Sequence, residues 1–389
     1  MIDPKIIQQD AEESLDYLIN IRRQIHQFPE LAFEEFKTSA LVIEELKKLK
    51  HIKVKTVAKT GVLGILEVNP DFPYIGLRAD MDALPIKELN KVSYVSQNEG
   101  KMHACGHDAH TSALLGAAKI ICKHKDKLHH NILFIFQPSE EKLPGGAKVI
   151  LEEGALKAFN IKTIFGQHVY PELPPGKIGV KAEKYMASAD EIYIDIIGKG
   201  GHAALPHYLC DPIPIAAEVI LSLQQVISRS SDPVIPSVLS FGRIIAEGET
   251  NIIPEKVRIE GTFRTFDEVW RKKAHQIIHD KIHYICKANG ATADIDIQVG
   301  YPFVYNNPDI TAKFNDFAKK YLGDSNVEKL ELRMTAEDFA FYAQEYPSCF
   351  YRFGTGHPGA KLHRPDFDIE ENSLSTAAGL MAWIAMQKY

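Results

Sequence analysis

Apolar residues return every three or four positions between residues 12 and 28 and again between residues 36 and 49. That is the spacing of one helix face, so two amphipathic helices are predicted, the first stopped before Pro29. Beyond them the pattern shortens. Apolar runs at residues 62–68, 74–77, 131–136 and 163–165 have the length of strands, with helical patterns such as residues 113–121 between them. Strands alternating with helices predict an α/β sheet.

The middle of the chain changes character. Residues 191–197 read as strand, 214–229 as helix, 237–245 and 256–265 as strands, 269–289 as helix and 293–298 as strand. The order βαββαβ predicts a self-contained two-layer α+β sandwich. The α/β pattern then resumes, with helices at residues 312–321 and 336–344 and a strand at 349–353. The expected fold is therefore α/β, with a discontinuous domain (1–185 and 299–389) of helices around a mixed sheet, interrupted by an inserted α+β domain (186–298).

Composition agrees with a folded enzyme: of 389 residues, 45% are hydrophobic and 25% charged. The net charge of −6 has no basic stripe, because Lys and Arg are interspersed with Asp and Glu, so no nucleic-acid partner is expected. Residues 1–13 are polar and acidic rather than signal-like, and no apolar run approaches membrane-spanning length. A cytoplasmic protein with no membrane association is expected. Cys105, Cys122, Cys210, Cys286 and Cys349 are odd in number and scattered, which fits a reducing compartment rather than a disulfide framework.

Residues 103–110 read H-A-C-G-H-D-A-H. Thiolate, imidazole and carboxylate are the ligand types a borderline-soft divalent ion accepts, so this loop is a candidate metal site. Open α/β sheets bind ligands at the carboxyl ends of their strands, and here those ends carry suitable groups. One run leads into Arg78-Ala79-Asp80-Met81-Asp82, a second into Gln137-Pro138-Ser139-Glu140-Glu141 and a third into Gly166-Gln167-His168, while the 103–110 segment leads into a helix beginning near Ala109. Asp80 and Asp82, two apart, share a face if the chain stays extended.

Each group also has a plainer reading. Asp108 reads equally as a helix N-cap, and Asp80 and Asp82 as turn formers before Pro85. Adjacent glutamates usually make a solvated face, but Glu140 and Glu141 follow a buried strand and precede Pro144-Gly145-Gly146. His168 alone reads as a core histidine, and His124, His129 and His130 as surface residues. Gly198 to Ala203 formally matches the dinucleotide pattern G-x-G-x-x-A. A helix must open there, however, and Pro206, Pro212 and Pro214 break the chain, so the match is rejected.

Taken together, Arg78 to Pro85, Met102 to His110, Phe136 to Glu141, Gly166 to His168, Gly200 to His207, Asn251 to Pro254, Gly261 to Thr265, Glu337-Asp338-Phe339 and His363 to Asp368 carry a resemblance across nearly the whole chain. The chain resembles the zinc-type metallopeptidases related to aminoacylase, in the amidohydrolase branch with hippurate hydrolase, auxin-conjugate hydrolases and N-acetyldiaminopimelate deacetylase. The resemblance implies a catalytic domain with two divalent metal ions and a lid domain that also forms a homodimer contact. It implies Cys105, His107, Glu141, His168 and His363 as metal ligands, Glu140 as catalytic base, and Asp82 orienting a ligand. His202 would reach from a neighbouring subunit's lid to stabilise the oxyanion, and Arg264 and Asn251 would bind substrate. More distant relatives carry a His-x-Asp pair and bridging carboxylates where this chain has Asp80, Asp82 and Cys105, which leaves Zn, Mn, Ni and Co all open. The implied reaction is hydrolysis of an N-acyl amino acid bearing an acetyl, benzoyl or similar group. A dipeptidase or carboxypeptidase of the same fold and a non-catalytic metal-binding scaffold are the competing readings.

Overall fold

The computed structural model describes residues 2–356 and 361–389. It divides into two compact units, one comprising Met1–Tyr185, Val304–Glu331 and Asp338–Tyr389, the other Met186–Phe303 and Leu332–Glu337.

The first unit is built on an eight-stranded mixed sheet in the order Ile52–Val57, Gly61–Leu66, Asn131–Gln137, Tyr74–Asp80, Ile161–Tyr170, Ser348–Gly354, Ile178–Val180, Val327–Lys329. Its centre, from the Asn131 strand to the Ser348 strand, is parallel. Parallel strands are covered on both faces and so read as unbroken apolar runs; every residue of the Tyr74, Asn131 and Ser348 strands is buried. Their shared direction brings Asp80 level with Gln137, and Arg352 level with His168, at one end of the sheet.

The helix His107–Lys123 is buried almost throughout and packs against the helices Leu15–Gln27 and Ser373–Ala385. The helix expected at 12–28 is Leu15–Gln27, and a separate helix, Pro4–Glu13, precedes it. Ser14 separates them, its hydroxyl donating to Asp10 O at 2.8 Å, a local side-chain bond that competes with helix continuation. Several elements were not anticipated, among them the helix Ser373–Ala385 and the strand Ile52–Val57. Ser373–Ala385 is apolar on nearly every side and almost entirely buried, so it lacks the one-faced periodicity of a surface helix. Ile52–Val57 is an edge strand in which Lys alternates with Ile and Val. The helix expected at 336–344 is confined to Ala340–Glu345.

The second unit is an antiparallel sheet ordered Ser237–Ile245, Lys256–Thr265, Asp190–Ile197, Thr292–Val299, with helices Pro212–Gln225 and Glu268–Ala288. This is the βαββαβ sandwich that the pattern predicts. Ile192, Ile194, Ile196, Val257, Ile259 and Phe263 pack in one core with Ile215, Val219, Leu223, Ala274, Ile278 and Ile282. After Ile197 the chain forms only the short strand Gly201–His202 and a turn of 3-10 helix, and no long helix opens before Pro212. That geometry agrees with rejecting a dinucleotide fingerprint. Among the described residues no helix is long and apolar enough to cross a membrane.

Candidate metal centre

The site begins with Asp82, just past the end of the Tyr74 strand and 1% exposed. Its Oδ1 accepts the Glu140 N–H and its Oδ2 the Glu141 N–H, both at 2.9 Å. The same Oδ1 lies 3.2 Å from His107 Nδ1. One carboxylate thus ties the glutamate turn to the first residue of the buried helix. That helix starts at His107, two residues earlier than the sequence suggested, because Gly106 takes a left-handed conformation with φ 81°. A Cβ on Gly106 would come within 2.6 Å of Val169 Cγ2, so both conformation and space call for glycine between Cys105 and His107.

His168 stands on the Ile161 strand, its Nδ1 2.9 Å from the Val169 carbonyl and its Nε2 3.4 Å from Cys105 Sγ. His363 joins through its backbone, whose N–H donates to Ala104 O at 2.8 Å, and its Nε2 lies 3.0 Å from Glu141 Oε1. The donor atoms of Cys105, His107 and His168 lie within 4.8 Å of one another. So do those of Cys105, Glu141 and His363, and of His107, Glu140 and Glu141. The five expected ligands and Glu140 therefore meet in overlapping groups.

Whether these residues fit a metal can be judged from their free atoms. Among the described residues, His107 Nε2 is buried with no hydrogen-bond partner, and so is Glu141 Oε1, whose short approach to His363 is an ion-pair distance that misses hydrogen-bond geometry. His107 and His168 each have one ring nitrogen turned to an oxygen acceptor and the other turned to the group, the arrangement that orients metal-bound imidazoles. A thiol, three imidazoles and a carboxylate suit a borderline-soft divalent cation. The donors fit.

Electrostatics follow from burial and crowding. Burial, then Glu141, Glu140 and Asp80, push the Cys105 thiol well above its usual range. Burial would lower His107, but Asp80, Asp82 and Glu141 outweigh it and raise the imidazole to about 10. Burial beside Arg352 and His110 holds His168 well below the ordinary histidine value.

The other residues of the 103–110 loop have different surroundings. His110 Nδ1 lies 2.5 Å from Asp80 Oδ1, and His110 Nε2 accepts the Val169 N–H at 2.9 Å, so both nitrogens are engaged. Asp80 also pairs with Arg78 at 2.6 Å. Asp80 is thus neither a turn former nor solvated, although it forms a further group with His107 and His110 close enough for a cation. His103 is buried, and burial pushes it down to about 3. Asp108 is no N-cap: Gly106 holds that position, and Asp108 pairs instead with Arg22 and His26, each at 2.7 Å. His130 is a further correction, since it is buried rather than on the surface.

Two supports were given no role by the sequence. Arg22, fully buried, also pairs with Asp368 at 2.7 Å, so it links the segment after His107 to the segment after His363. Asp338 accepts from Arg78 at 2.8 Å and from Ala147 N at 3.0 Å, while its own N–H is 3.4 Å from Glu140 Oε1. Both act through residues distant in sequence, and only the tripeptide Glu337-Asp338-Phe339 hinted at the second.

His202, Asn251 and Arg264 belong to the second unit. His202 and Asn251 are exposed neighbours: Ile252 pairs with His202, and Ala203 N–H donates to Asn251 O at 3.0 Å. Arg264 is half-buried on the Lys256 strand and donates to the Thr262 hydroxyl, and burial lowers its pKa.

A family model described as Peptidase family M20/M25/M40 matches residues 76–387. The chain is 40% identical to the N-acetyl-L-cysteine deacetylase of Bacillus subtilis, over 93% of this chain and 85% of that one. It is 36% identical to thermostable carboxypeptidase 2 of Saccharolobus solfataricus, over 98% of each chain. Its fold superimposes with a TM-score of 0.82 and 33% identity on the crystal structure of the Bacillus subtilis YXEP protein, described as a dinuclear metal binding peptidase, covering 96% of this chain and 98% of that one.

Proposed function

The chain belongs to the peptidase family M20/M25/M40, and from that premise we propose that it is a metal-dependent amidohydrolase that splits the amide bond of N-acyl amino acids. The observation that carries this reading is the meeting of Cys105, His107, Glu141, His168 and His363 donors with Glu140 beside them, at the ends of separate elements. These five residues would hold two divalent cations, Zn, Mn, Ni or Co. Bound there, the cations would polarise the substrate carbonyl and make a water molecule acidic enough to attack near neutral pH.

Glu140 then takes the proton of the attacking water as the new C–O bond forms, and returns it to the amine nitrogen as the C–N bond breaks. The products are a carboxylic acid and an amino acid. Glu140 is suited to this role because it is 6% exposed and its backbone N–H is held by Asp82. Asp82 orients both the glutamate turn and His107. By the resemblance, His202 supplies the oxyanion donor from a neighbouring subunit, Arg264 binds the substrate carboxylate and Asn251 makes a second polar contact with the substrate. Residues 186–298 would then serve as lid and dimer contact, in a cytoplasmic homodimer.

The deacetylase relative favours an N-acyl substrate, and the carboxypeptidase relative keeps dipeptide cleavage as the second reading. A panel of N-acetyl and N-benzoyl amino acids set against dipeptides, run with Zn, Mn, Ni and Co, decides between them. In the same assay Glu140→Gln retains its cations and loses turnover by about 100- to 10,000-fold. Near-normal turnover with the metals in place would remove Glu140 from the role of base.

A further inference from the structure

Glu35 is a carboxylate in the wrong place for a structural accident. It lies just before the helix Phe36–Lys48 with no exposed surface. Its Oε1 accepts the Phe33 N–H and the Ser139 N–H, both at 2.9 Å, and its Oε2 accepts the Thr60 hydroxyl at 2.5 Å. Besides the local Phe33 contact, two stretches distant in sequence therefore converge on this side chain.

The Ser139 contact adjoins the reactive pair. Ser139 directly precedes Glu140 and sits at φ 51°, a left-handed conformation that a residue with a side chain adopts only when its surroundings hold it there. Three successive amide N–H groups are gripped by two buried carboxylates: Ser139 by Glu35, and Glu140 and Glu141 by Asp82. Asp82 sets the pair against His107, but neither of its oxygens reaches Ser139 N. The Ser139 hydroxyl donates to Lys142 O at 3.1 Å and its carbonyl accepts the Gly146 N–H at 2.8 Å, while its own N–H, at the left-handed step just before the pair, is held by Glu35.

We propose that Glu35 is a positioning residue that locks the Ser139 turn and so presents Glu140 to the substrate and Glu141 to the cations. This deepens the functional reading above and rests on it for the roles of Glu140 and Glu141. Loss of the carboxylate leaves the Ser139 N–H buried without an acceptor, and the turn relaxes toward an ordinary conformation to reach one. Displacing a catalytic group by an ångström is enough to cost about 100-fold in rate. Burial pushes Glu35 up to about 7, against the hydrogen bond from Thr60, with Asp82 adding to the rise. Neutral glutamine, which keeps an acceptor oxygen, is therefore a mild replacement, whereas alanine keeps none.

The test uses the full chain, stripped with a chelator and titrated with Mn(II) by calorimetry, then reloaded and assayed on N-acetyl-L-methionine. Glu35→Ala should weaken Mn(II) binding by about 10-fold or more and lower kcat by about 100-fold with KM little changed. Glu35→Gln should restore both to within about threefold of the parent. Phe314→Leu, a core change in the helix Pro308–Leu322, supplies a variant of lowered Tm whose Mn(II) affinity stays at the parent value. Should Glu35→Ala be too unstable to purify, Glu35→Asp, which draws the carboxylate back from Ser139, should weaken Mn(II) binding in its place. The proposal is overturned if Glu35→Ala or Glu35→Asp binds Mn(II) as the parent does, or if Phe314→Leu loses as much affinity for the same loss of Tm. Turnover surviving in Glu140→Gln would instead strike at the assignment of the base, and leaves the Mn(II) comparison standing as the test of Glu35.

Discussion

At the scale of single residues, the site is organised by buried carboxylates that hold backbone amides. Asp82 spends both oxygens on backbone N–H groups and one of them also on His107. Asp82→Ala should therefore disturb ligand and base together, with cation affinity measured by titration falling about 10- to 100-fold. The candidate donors drew notice in the sequence because their chemistry is rare: a thiol, imidazoles and acids at strand ends have few other uses, and the family resemblance then singled out five of them as the expected ligands. Their supports were not. Arg22 reads as one of several cations on an amphipathic helix, and only the fold buries it against Asp108 and Asp368, 86 and 346 positions away in sequence. Glu35 is equally silent, an acid among the acids before a helix.

At the scale of elements, the tight point is the entry to the helix His107–Lys123. Gly106→Ala would force a side chain into a left-handed conformation and against Val169, at a cost of about 1–3 kcal/mol. Urea denaturation should show this loss, and weaker Mn(II) binding should accompany it, since Cys105 and His107 flank the residue. Elements with a strong period, such as the strands Ser237–Ile245 and Lys256–Thr265, were placed by sequence at their observed bounds. Elements whose sequence lacks a one-faced period were missed or misjudged. Ser373–Ala385 has no polar face because the fold surrounds it, and the 12–28 reading ran over Ser14 because one hydroxyl bond leaves no mark on hydropathy.

At the scale of the whole molecule, the inserted unit has an anchor of its own. Asp190 is buried and accepts from Arg271 at 2.5 Å, His275 at 2.7 Å and Gly300 N–H at 3.1 Å, joining the strand Asp190–Ile197, the helix Glu268–Ala288 and the segment after Val299. Burial alone would raise its pKa, but the bonds from His275 and Arg271 prevail and hold it below the ordinary 3.8. A depressed carboxyl stabilises the fold above its unfolded pKa and loses that contribution as pH falls through the folded value. Asp190→Asn should therefore cost about 3–5 kcal/mol at neutral pH by leaving Arg271 buried with a weaker partner. By thermal unfolding, the gap between parent and variant should stay flat down to about pH 4 and close below it. What the sequence by itself determined is the division into an α/β unit and an inserted βαββαβ unit, together with the donor types available for a metal, because local period and residue chemistry are written in neighbouring positions. What only the tertiary structure decided is the constellation: which imidazole keeps a free nitrogen, which carboxylates serve as struts, and how Ser139 is held in its left-handed step. Those outcomes depend on burial and on hydrogen bonds between residues far apart in the chain, and no local pattern carries either.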